Sequence, residues 1–153
     1  MKIAQALRKH AEMRARINLL EERIKKDFIK TEGKITSYSE ADFNKLVDEL
    51  KGLRGNSYRL KVAIDAANGV EVDGKSVALV LTDRNKVTQE LAFWTELRNM
   101  DAERYVIREG IKSEKRILDS ELDRVIDNLM NERRRLDDVI CYLNATVEVS
   151  GAW

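Results

Sequence analysis

The sequence has 153 residues and a formal net charge of +1, so it can bury a core without disulfide or metal staples and sets up no overall field toward nucleic acid or an anionic membrane. Proline is absent and 36% of the residues are charged, a composition that favours long, well-solvated helices. Cys141 is the only cysteine, which rules out an intrachain disulfide and points to a reducing compartment.

The first segment places Ile3, Ala6, His10, Met13, Ile17, Leu20, Ile24 and Phe28 on one stripe, with steps of three and four residues that mark a coiled-coil seam. Its start is helical in period and lacks the apolar core of a signal peptide, so a cytoplasmic protein is expected. Gly33 breaks the period, residues 35–38 read as briefly extended, and Ser39-Glu40-Ala41-Asp42 opens the next helix as a capping-box variant. That second helix carries Phe43, Leu46, Leu50, Leu53, Ser57, Leu60, Ile64 and Ala67. The stripe crosses Gly52, Gly55 and Asn56 in phase, which predicts one helix with Gly55 as the place for a kink.

Asn68-Gly69 reads as a left-handed helix cap, and Asp73-Gly74 between short alternating runs reads as a hairpin turn. The third helix carries Val80, Arg84, Val87, Leu91 and Trp94 and ends near Met100. Residues 101–119 are less regular, with residues 105–107 read as strand and Gly110 as a turn. Asp119 or Ser120 caps a fourth helix, whose seam runs Leu122, Ile126, Leu129, Arg133, Leu136, Ile140 and Leu143 to an end at Asn144.

Two stretches repeat one another. Aligning Asn68 with Asn144 sets Leu60 on Leu136, Ile64 on Ile140 and, with one extra residue, Val70-Glu71-Val72 on Val147-Glu148-Val149. The expected fold is therefore predominantly all-α: one domain over residues 1–153, an antiparallel four-helix or coiled-coil bundle built from two helical hairpins. Short β-strands are expected at its ends, with residues 70–72 and 147–149 in one small sheet and residues 75–77 as a third strand.

Chemistry-bearing residues are few. His10 is the single histidine and no glutamate stands three residues before it, so a di-iron pair, a zinc cluster and any other resident metal or cofactor are not expected. No catalytic group is assigned, and phosphate loops and dinucleotide turns are missing from the sequence. Arg84 and Arg133 each occupy a seam position that asks for an apolar residue. Two such guanidiniums could clamp a dianion, or each could bridge to a carboxylate on a neighbouring helix or lay its aliphatic stem on the core, and a structural partner is expected for Arg133. Cys141 reads as a small buried thiol, with a reactive thiol as the alternative.

Residues 1–30 carry nine Lys/Arg against four Asp/Glu, which leaves +5 there and −4 on the rest. That asymmetry and the apolar width of several helices predict a homo-oligomer, at least a dimer. The longest apolar run, residues 77–81, falls far short of the roughly 20 residues that span a bilayer, so no stable membrane span is expected.

The opening "MKIAQALRKHAEMRARINLLEERI", Glu32-Gly33, Ile64 with Ala67-Asn68, "DGKSV" followed by Arg84, Arg104-Tyr105 and the closing "LNATVEV" resemble a family of small uncharacterised bacterial proteins labelled septicolysin-like. The family label implies a membrane-active cytolysin, with contact at a membrane surface, and brings no established catalytic residues. This chain departs from the pattern in lacking Trp after Asn144 and in its irregular residues 112–118. Residues 121–136, "ELDRVIDNLMNERRRL", are similar to the opening helix of all-helical chorismate mutases, whose arginines hold a dicarboxylate. The leading expectation is a non-enzymatic, self-associating helical protein, with a cytolysin-like protein or a small-anion-binding bundle as alternatives.

Overall fold

The computed structural model describes residues 1–29, 39–101 and 113–151. The expectations for Gly33, residues 35–38, residues 105–107 and Gly110 lie outside them. Of the described residues 80% are helical, and they form four helices and no strand. The chain makes two compact units, one from Met1 to Val72 joined by the stretch from Leu143, the other from Asp73 to Tyr142.

The first unit is built on α1 (Ile3–Asp27) and α2 (Glu40–Asn68), which pack against each other. α1 starts where the Gln5 side chain accepts the Lys2 N–H at 3.0 Å, and it buries Ile3, Ala6 and Leu20. Phe28 does not continue the seam; it lies past the helix end and is 72% exposed. α2 starts at Ser39, whose side chain accepts the Asp42 N–H at 3.2 Å. It runs unbroken through Gly52 and Gly55 and buries Leu50, Ser57, Leu60, Ile64 and Ala67. Each interior glycine costs about 1 kcal/mol against alanine, whereas full burial of one Leu or Ile returns about 1.5–3 kcal/mol. The seam therefore outweighs the glycines.

The end of α2 falls where the sequence places it, but in another conformation. Gly69 has φ −84°, in the right-handed region, and its N–H donates to the Ala66 carbonyl at 3.2 Å. Positive φ appears instead at Asp73 (52°) and Gly74 (73°), the signature of a two-residue type I′ turn, flanked by single bridge residues at Val72 and Lys75. The expected third strand over residues 75–77 does not form. Ser76 caps α3, its side chain accepting the Leu79 N–H at 3.3 Å, and Val77 is already helical.

The two Val-Glu-Val stretches do not share a sheet either. Val149 N–H donates to Met1 O at 2.7 Å, Ile3 N–H donates to Val147 O at 3.1 Å, and Lys2 faces Glu148 in an isolated antiparallel bridge. Val147 and Val149 are buried, so apolar side chains seal this clasp. Above it, Lys2 Nζ lies 2.7 Å and the N-terminal amine 3.1 Å from the Glu148 carboxylate, and Lys2 Nζ also donates to Thr146 O at 2.9 Å.

Hydrogen bonds from Lys2 and then from the N-terminal amine hold the Glu148 carboxyl below its ordinary value. A depressed folded-state pKa contributes stability that is complete above the ordinary carboxylate range and lost as pH falls through the folded value. Thermal unfolding of wild type and Glu148→Gln should accordingly differ most near neutral pH and converge in acid. A difference that stays constant with pH would mean the ion pair contributes nothing.

The second unit holds α3 (Val77–Asn99) and α4 (Asp119–Thr146) as far as Tyr142. Arg84 pairs with Asp137, and Arg98 Nε meets Asp123 at 2.7 Å, so the two helices run antiparallel. Val77, Val80, Leu122 and Leu136 form the buried apolar set of this unit. α4 passes the expected end at Asn144 by two residues, and its last turn carries Leu143, 1% exposed, into the first unit.

Candidate functional site

Arg84 and Arg133 are treated differently by the fold. Arg84 donates through Nε to Asp137 Oδ1, which is the structural reading for that seam arginine. Arg133 is half-buried and, contrary to expectation, has no ion pair or hydrogen bond among the described residues. It sits one turn before Asp137 on α4, the carboxylate that Arg84 engages. Cys141 is exposed, not buried, because it falls beside the α4 seam and not on it.

Near the start of α4 a second network forms. Arg98 Nη1 lies 3.0 Å from Asp119, and Lys115 Nζ donates to Asp119 at 2.9 Å and to the Arg98 carbonyl at 2.8 Å. The Lys115 hydrogen bond is the main reason the Asp119 carboxyl titrates below its ordinary value. Every cation here already has a carboxylate, so the network fastens residues 113–119 to α3.

Cavities separate along similar lines. One of about 370 Å³ is mostly apolar, between Leu97, Met100, Ile117 and Leu122. Another of about 180 Å³ lies between Leu79, Val80, Leu136 and Val139, with Lys75 and Arg135 at its rim. Neither Arg84 nor Arg133 lines either of them.

The cavity richest in chemistry is an open groove of about 430 Å³ between α1 and α2. From α1 come His10, Arg14, Ile17 and Asn18; from α2 come Arg54, Ser57, Tyr58 and Lys61. The antiparallel pairing causes this, since His10 then lies level with Lys61 and Ile17 with Arg54. Arg54 Nη2 pairs with Glu21 at 2.5 Å, and Lys61 pairs with Asp65 one turn on. Arg14 has no partner among the described residues. His10 titrates below its ordinary value of 6.5, first through burial, then through the Arg14 and Lys61 cations, with Asp65 opposing. Sequence reading reached His10 as a seam residue and missed the groove, because Arg14, Arg54 and Lys61 look like ordinary solvated positions until two helices are set side by side. Among the described residues no group of three or more His, Cys, Asp or Glu could hold a metal ion.

A family model described as a family of unknown function (DUF6847) matches residues 10–149. The chain belongs to that family. A crystal structure of a functionally unknown conserved protein from Corynebacterium diphtheriae is similar, with 23% identity, a TM-score of 0.78, and coverage of 98% of this chain and 99% of that one. At that identity the likeness shows a shared fold alone. No curated protein matches the sequence.

Proposed function

We propose that this member of the family is a non-enzymatic, cytoplasmic helical protein that works as a homo-oligomer. The observation that supports the reading is the outward face of α2. Among the described residues a Cβ added at Gly52 or at Gly55 would meet nothing within 4 Å, so none of them calls for glycine at either place. Two glycines that each cost about 1 kcal/mol have a physical use where a second helix comes close. Val62, 50% exposed, and the exposed Ala66 continue the same face at helical spacing, opposite the buried Leu60 and Ile64. The excess of +5 in residues 1–30 over −4 elsewhere adds an attraction between copies.

Light scattering after gel filtration at micromolar concentration tests this. Wild type should elute with a mass at least twice 17.6 kDa, and the double variant Gly55→Lys with Val62→Lys should elute as a monomer with unchanged helical content. A wild-type monomer in both low and high salt would overturn the proposal. The septicolysin-like resemblance supplies the competing reading, a membrane-active protein. Among the described residues no helix is long and apolar enough to cross a membrane. Release of a dye trapped in liposomes by the monomer would nevertheless favour that alternative.

A further inference from the structure

We propose that the groove between α1 and α2 is a binding site for a small phosphate ester bearing a flat ring. Arg14 carries the argument. Its guanidinium stands at the groove with no ion pair among the described residues, although α1 and α2 offer carboxylates that engage Arg16, Arg54 and Lys61. A guanidinium fork matches the paired oxygens of a phosphate, and Arg54 and Lys61, steered by Glu21 and Asp65, add two cations to the same wall. Of the three, Arg14 alone has no carboxylate among the described residues, so it supplies the uncompensated charge and the fork for the phosphate oxygens.

The apolar half of the ligand follows from Tyr58. Its side chain is 71% exposed, so its face is open, and Ile17 is half-buried beside it. An exposed tyrosine next to a cationic wall stacks a ring while the attached anion meets the arginines. The groove volume of about 430 Å³ lies in the range of small-molecule sites, about 300–1,000 Å³. Tyr58 stands one turn from both Gly55 and Val62, so the inference rests on self-association leaving the Tyr58 edge of α2 uncovered.

His10 makes the test clean, because it is the only histidine of the chain and lines the groove. The groups facing it are Arg14 on α1 and Lys61 and Asp65 on α2. Phenyl phosphate is the probe, added to the full chain at constant ionic strength, with the imidazole followed by NMR. A bound phosphate anion favours the imidazolium, so the His10 midpoint should rise when the probe is present. Arg14→Gln, at an exposed site, should keep its circular dichroism and weaken phenyl phosphate on the order of tenfold, the loss of one charge-assisted hydrogen bond. Tyr58→Ala should bring phenyl phosphate down to the affinity of inorganic phosphate. A His10 midpoint unmoved at millimolar probe would overturn the site. So would an equal rise in Arg14→Gln, which would mean diffuse screening, and inorganic phosphate binding wild type as tightly as phenyl phosphate would overturn the role of the ring.

Discussion

Ile3→Ala should lower the stability of the first unit by about 2–5 kcal/mol, the range for truncating a fully buried branched side chain whose surroundings relax only in part. Ile3 is 0% exposed, and its N–H still reaches Val147 O in the variant, so the loss isolates side-chain packing from the backbone clasp. Val147 and Val149, 4% and 3% exposed, depend on the same seal. Urea unfolding followed by circular dichroism measures the effect. Leu7→Ala, at 43% exposure on the same helix, is the control and should stay within about 0.5 kcal/mol. A midpoint for Ile3→Ala that matched the control would mean the clasp rests on its ion pairs and not on apolar contact.

Leu60→Ala is expected to cost a similar amount, about 2–5 kcal/mol, for a different reason. Leu60 is 0% exposed and lies just past Gly52, Gly55 and Asn56, where a loop would have rotated it off the core. Lys51→Ala, exposed on the same helix, should leave stability nearly unchanged or raise it by a few tenths of a kcal/mol through helix propensity. Equal effects at the two positions would mean that α2 does not keep one phase across its glycines. The contrast therefore tests the reading of periodicity over local propensity at the place where the two disagree most.

The four helices were legible from spacing because a buried stripe recurs every three to four residues whatever it packs against. The seam positions of α2 from Phe43 to Ala67 are all buried or half-buried, and those of α4 from Leu122 to Leu143 are too. The cap at Ser39 and the turn at Asp73-Gly74 involve groups no more than three residues apart. A left-handed Gly69 was the natural reading of Asn-Gly and failed because the chain tightens through Gly69 and Val70 back to Ala66 and Ala67. Positive φ was then spent four residues later.

Arg84 and Arg133 both stand at seam positions, yet among the described residues Arg84 finds a carboxylate and Arg133 does not, because pairing depends on which residue of the neighbouring helix arrives opposite. The groove was illegible for the same reason, since His10, Arg14, Arg54 and Lys61 come from helices about 40 residues apart in the chain. By itself the sequence determined the elements, through hydrophobic period, capping residues and one turn, all of them local interactions. Only the tertiary structure decided the partners: Val147 and Val149 joined Met1 and Ile3 instead of residues 70–72. An extended backbone offers the same N–H and C=O groups to any strand, so its partner is selected by which segment the packed helices bring alongside and by the apolar surface that pairing seals.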